Sequence, residues 1–151
     1  KNRSNKVVAL IKKYNPDLFG VQEALHNQMM DLQNNLPEYA FVGVGRDDGK
    51  EKGEYSAIFY KKDKFDVLTQ NTFWLSETPE VPGSKSWDAA ITRVVTFALL
   101  KDKTPACLWQ FCNNPANAGR DIDSYRNLYP KTQNPAVARR VLLKSAEADV
   151  N

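Results

Sequence analysis

The chain's 151 residues suit one domain of ordinary size, and 42% hydrophobic content is enough for a core. Its 21 basic and 18 acidic side chains leave a formal charge of +3, with 15 basic and 14 acidic groups in residues 1–104 and 6 and 4 in residues 105–151. Neither part carries the concentrated basic field that non-specific nucleic-acid binding favours, and there is no apolar run long enough for a membrane-spanning helix. The opening Lys1-Asn2-Arg3-Ser4-Asn5-Lys6 leads straight into an amphipathic pattern and does not read as a signal peptide. Cys107 and Cys112 have no second Cys or His cluster to join, which argues against a zinc site. Two buried thiols or one local disulfide both fit them.

Val7, Val8, Leu10, Ile11 and Tyr14 recur at helical spacing, and Ser4 stands where a cap belongs, so a helix is predicted over 4–14. Pro16 should end it at Asn15. Leu18, Phe19 and Val21 then form a short apolar run that reads as a buried strand. This strand delivers Gln22 and Glu23 to its carboxyl end, where ligands bind in open α/β architectures. A carboxylate there is a natural ligand for a hard cation such as Mg²⁺. A second helix is predicted over 26–36, with Met29, Met30, Leu32 and Leu36 as its apolar positions and Pro37 as its stop. His26 is the one histidine; so close to Glu23 it invites a metal-ligand reading, but a polar residue opening the helix is the better one.

Strands follow at 39–45, 55–61, 65–75 and 91–100. The charged, glycine-punctuated stretch Arg46 to Gly53 reads as a loop whose charges are mostly solvated. Residues 78–83 read as a surface loop. The turns between the later strands are too short for crossover helices, so these strands should pair antiparallel. Trp74 and Trp87 read as packing residues rather than substrate platforms. Residues 105–151 hold several Asn, Pro and Gly residues in 113–119, then a helical run over 135–148, and are expected to pack less well than residues 4–100.

Asn15-Pro16-Asp17-Leu18-Phe19-Gly20-Val21-Gln22-Glu23 resembles the Asn-Pro-Asp-x-x-x-x-Gln-Glu signature of the endonuclease/exonuclease/phosphatase superfamily, the group with the pancreatic-deoxyribonuclease-like fold. Gly53 to Lys61 resembles the strand in which that family holds a carboxylate against its catalytic histidine, with Glu54 in that place. Phe73 to Pro79 resembles a mainly structural family segment. Trp87 to Phe97 resembles the strand whose arginine touches the scissile phosphate, with Arg93 in that part.

The resemblance implies an α+β fold, a partial αβα sandwich around a mainly antiparallel mixed sheet, deoxyribonuclease-I-like. It implies a Mg²⁺-dependent phosphoesterase, with Mn²⁺ as a possible substitute, that hydrolyses phosphodiesters or phosphomonoesters by metal-assisted water attack. Glu23 would be the metal ligand, and Glu54 and Arg93 the catalytic residues. The substrate would be a phosphoester: nucleic acid, a phospholipid headgroup or a small molecule. Glu23, Glu54 and Arg93 should therefore converge on one side of the sheet.

The resemblance covers residues 1–104, read as part of such a domain; residues 105–151 read as a divergent tail. The family's opening strand and its Asn-Thr-His, Gly-Asp-x-Asn and Ser-Asp-His segments have no counterpart here, so the hydrolase is read as incomplete. The alternatives are a non-catalytic fragment and a binding module that reuses the sheet.

Overall fold

The computed structural model describes residues 2–104 and 108–113. Helix α1 runs Asn2–Tyr14, strand β1 Leu18–Leu25 and helix α2 His26–Asn35. Strands β2 Tyr39–Val42, β3 Glu54–Lys61, β4 Phe65–Trp74, β5 Val94–Asp102 and β6 Leu108–Asn113 follow. This is the predicted α+β order, and every strand pair among the described residues is antiparallel. The strands form two three-stranded sheets rather than one, ordered β1-β3-β2 and β4-β5-β6. The short Lys61–Phe65 connection carries the chain from one sheet to the other instead of closing a hairpin. β6 falls in the stretch for which no strand was predicted; the 135–148 helical run lies outside the described residues.

Strand β3 shows why the layers stack as they do. Tyr55, Ala57 and Phe59 pack with Val8 of α1, Met29 and Leu32 of α2, Leu36, Phe19 and Tyr39. The alternate residue Ile58 packs with Phe65, Ala98 and Leu100 of the second sheet. Side chains alternate across a strand, so β3 must be apolar on both faces when helices cover one and a sheet covers the other. Phe59 is fully buried, stacked on Phe19 at 4.9 Å and tilted against Phe41 at 5.2 Å. Between the second sheet's own strands, Thr72 and Thr96 face each other in register and share a buried hydroxyl–hydroxyl bond of 2.8 Å.

Several sequence expectations need correction. Ser4 lies inside α1 and bonds the Asp31 carboxylate of α2, so it tethers two helices rather than capping one. Only Val8 and Ile11 of the α1 stripe turn inward; Val7, Leu10 and Tyr14 remain exposed. β1 is an edge strand in which Phe19 alone is buried. Trp74 is a packing residue, but Trp87 is 64% exposed, on a turn where it and Asp88 both take left-handed backbone angles. Trp87 is therefore not a packing residue, contrary to the sequence expectation. β5 begins at Val94, three residues later than the β-rich composition suggested.

The α1 end follows the sequence closely. Asn15 takes a left-handed φ of 45°, and its N–H donates to the Ile11 carbonyl at 2.7 Å, so it caps the helix just before Pro16. Asp17 then bonds Lys61 at 3.1 Å and Lys64 at 2.5 Å, and Tyr39 donates to the Pro16 carbonyl at 2.5 Å. These bonds fix where β1 starts and hence where its far end, with Glu23, arrives.

Candidate active site

The carboxyl end of β1 meets the amino ends of β3 and β5 at an open cleft. Glu23, Glu54 and Arg93 all line it. Each reaches it by a different local device.

Glu23 sits in an irregularity of β1. Gln22 pairs with Ser56 and Ala24 with Tyr55, so Glu23 is the extra residue between them. Its φ is 57°, a left-handed angle that costs a non-glycine residue about 1 kcal/mol or more. A bulge re-aims one side chain of a strand, and here the re-aimed side chain is a carboxylate in the cleft. Its Oε1 accepts from Arg93 Nη1 at 3.3 Å. Arg93 comes from the opposite sheet, just before β5, and its carbonyl accepts the Leu75 N–H at 2.9 Å.

Glu54 opens β3 with about a third of its side chain exposed. Its partner is Arg46, which forms an ion pair from Nη1 to Glu54 Oε2. The sequence reading missed Arg46 by counting the 46–53 charges as solvent-facing; its side chain is only 18% exposed. The loop that carries it is firmly built. Arg46 N–H donates to the Glu54 carbonyl at 3.1 Å and Asp47 N–H to the Lys52 carbonyl at 3.1 Å. Asp48 Oδ1 accepts from the N–H groups of Lys50 and Lys52, and the Arg46 carbonyl accepts from Trp74 Nε1 at 2.6 Å. Gly53 completes the loop at φ 80°, where a Cβ would strike the Asp47 carboxylate. Three glycines in nine residues, at 45, 49 and 53, were the available signal that the loop is folded tightly.

Tyr55 and Thr92 also line the cleft. The Tyr55 hydroxyl donates to the Lys50 carbonyl at 2.9 Å and lies 2.9 Å from His26 Nδ1. Burial, with the Glu51 and Asp48 carboxylates, raises its pKa, so it stays a phenol near neutral pH. His26 opens α2, as preferred from the sequence. It is committed to Tyr55 and approaches Glu51 at 3.8 Å.

Among the described residues no three His, Cys, Asp or Glu side chains form a metal-binding group. Two carboxylates in one cleft do suit Mg²⁺, which is commonly held by one or two carboxylates while keeping several waters. Glu23, 62% exposed, is the more available of them.

The endonuclease/exonuclease/phosphatase family model matches residues 1–149. Among solved structures, an endonuclease/exonuclease/phosphatase from Bacteroides vulgatus is 49% identical with a TM-score of 0.72, covering 74% of this chain and 42% of its own. A mannosyl-6-phosphatase from Bacteroides thetaiotaomicron is 44% identical with a TM-score of 0.71, covering 74% and 41%. A functionally unknown conserved protein from Enterococcus faecalis is 30% identical with a TM-score of 0.67, covering 73% and 42%. No curated protein matches the chain. The chain thus spans less than half the length of these solved relatives. With its deoxyribonuclease-I-like fold and its matched family segments, the chain belongs to the endonuclease/exonuclease/phosphatase family.

Proposed function

We propose that this chain carries the metal-holding and phosphate-binding part of a phosphoester hydrolase site. The observation that carries the reading is the meeting of Glu23, Glu54 and Arg93 in one cleft, contributed by β1, β3 and the segment before β5. Glu23 would hold Mg²⁺, or Mn²⁺ in its place. A bound dication supplies stabilisation of the negative charge that builds on phosphorus-bound oxygens. Arg93 would bind the phosphate, since its planar fork matches two oxygens at once and never loses its charge. Glu54 would orient an imidazole, as a fixed carboxylate does by selecting its tautomer. The ion pair with Arg46, carried on the 45–53 loop, would keep Glu54 from swinging.

The substrate is a phosphoester: nucleic acid, a phospholipid headgroup or a small molecule. The 44% identical relative that is a mannosyl-6-phosphatase favours a small phosphomonoester. The second reading, a fragment or binding module without turnover, is favoured by one observation. The chain's single histidine is engaged with Tyr55 and Glu51 rather than lining the cleft. A positioned general base typically contributes about 10²–10⁴-fold.

The test is turnover of p-nitrophenyl phosphate, bis-p-nitrophenyl phosphate and plasmid DNA with Mg²⁺ or Mn²⁺, beside Glu23→Gln. We expect weak metal binding, lost in Glu23→Gln, with turnover slow or absent. Robust hydrolysis by the 151-residue chain that vanishes in Glu23→Gln would show that the base and its partners are dispensable. The assignment of roles would then have to be rebuilt.

A further inference from the structure

We propose that Arg46 is a positioning residue that decides which of two neighbouring carboxylates takes the metal. The proposal rests on the reading of Glu23 as the metal ligand. Glu23 and Glu54 lie on paired strands: Leu25 faces Glu54, Ala24 faces Tyr55, and Glu23 is the bulged residue next along, before the Gln22–Ser56 pair. Both line the same cleft. Two carboxylates so placed would both be drawn to a dication, and a doubly ligated metal would take Glu54 away from any hydrogen-bonding role.

The surroundings of the two acids differ. Glu23 pairs at 3.3 Å with Arg93, in a contact where the carboxylate side chain is 62% exposed. Such a pair yields readily to a dication. Glu54 is held by Arg46, whose side chain is 18% exposed and whose backbone N–H donates to the Glu54 carbonyl at 3.1 Å. Trp74 grips the Arg46 carbonyl from the second sheet at 2.6 Å. Asp47 Oδ1 lies 3.8 Å from Arg46 Nε. Arg46 is thus anchored at backbone and side chain. It neutralises Glu54, occupies Oε2 and leaves Oε1 for a neutral or cationic hydrogen-bond donor. Arg46 thereby separates two acids of one residue type into a metal ligand and a hydrogen-bond acceptor.

The test uses the 151-residue chain with Mg²⁺ alone, read by calorimetry and by the carboxyl ¹³C signals of Glu23 and Glu54. In the wild type Mg²⁺ should move the Glu23 signal and leave that of Glu54 nearly unchanged. Arg46→Gln should bind Mg²⁺ about three- to tenfold more tightly and move both signals. Arg46→Lys, which keeps the charge, should restore the single-ligand pattern. Glu54→Gln should bind Mg²⁺ no more tightly than the wild type, and Arg46→Gln/Glu54→Gln should return to within about twofold of it. A purely structural role for Arg46 would weaken Mg²⁺ binding in Arg46→Gln, and the second substitution would not reverse the change. That result, or unchanged affinity with a silent Glu54 signal, overturns the proposal while leaving the Glu23 reading intact. Wild-type binding that survives Glu23→Gln, or no binding at all, overturns the Glu23 reading and this proposal with it.

Discussion

Glu23 occupies a backbone conformation that its side chain makes costly. Left-handed φ at a bulge is the natural place of glycine, and a glutamate there gives up about 1 kcal/mol. Glu23→Gly should therefore match the wild type in urea unfolding or exceed it by up to about 1 kcal/mol, while Mg²⁺ binding is lost. Glu23→Gln keeps the strain and should stay within about 0.5 kcal/mol of the wild type. A clear loss of stability in Glu23→Gly would mean that the bulge is held for packing. At this scale the sequence singled out Glu23, Glu54 and Arg93 by their matched segments, and all three line the cleft. It was uninformative for Arg46, because a charge in a polar loop looks the same whether it faces water or a carboxylate. Trp87 misled in the opposite direction: large aromatics are usually covered, and this one is not.

At the level of elements, the 45–53 loop determines the order of the cleft. Gly53→Ala should open it, because φ is 80° and the added methyl would meet the Asp47 carboxylate at under 3 Å. We expect a loss of about 1–2 kcal/mol in thermal or urea unfolding, with the Arg46–Glu54 pair disturbed. Unchanged stability would show that the loop adapts freely. The opposite end of β1 depends on Asp17. Its hydrogen bond to Lys64 outweighs partial burial and, with help from Lys61, lowers its pKa from 3.8. A depressed carboxyl contributes stability above its unfolded pKa and loses it as pH falls through the folded value. Asp17→Asn should therefore cost stability at pH 7 and little at pH 2–3. Asp17 is 43% exposed, so screening should keep the cost under about 1 kcal/mol. A cost independent of pH over that window would assign the effect to packing. The helices and strands themselves were legible because their period is local. The outward half of the α1 stripe was not, since spacing says which residues share a face but not how wide a face the sheet covers.

For the whole molecule, antiparallel pairing followed from connection lengths, but division into two sheets did not. A three-residue link between strands serves equally well as a hairpin or as a step between stacked sheets. What decides is which faces of β3 and β5 are apolar, and that is a property of both sheets at once. Phe59, central to the helix-facing layer, should cost about 3–5 kcal/mol on replacement by alanine. A loss below about 1 kcal/mol would place the core elsewhere.

The stacking brings Arg93 from one sheet to Glu23 of the other, and the central claim is that this meeting point binds a dication and a phosphate together. Calorimetry of Mg²⁺ with and without inorganic phosphate, on the wild type, Glu23→Gln and Arg93→Ala, tests it most directly. We expect phosphate to strengthen Mg²⁺ binding in the wild type, Arg93→Ala to abolish that coupling, and Glu23→Gln to abolish Mg²⁺ binding itself. Wild-type Mg²⁺ affinity in Glu23→Gln, or undiminished coupling in Arg93→Ala, would contradict the account.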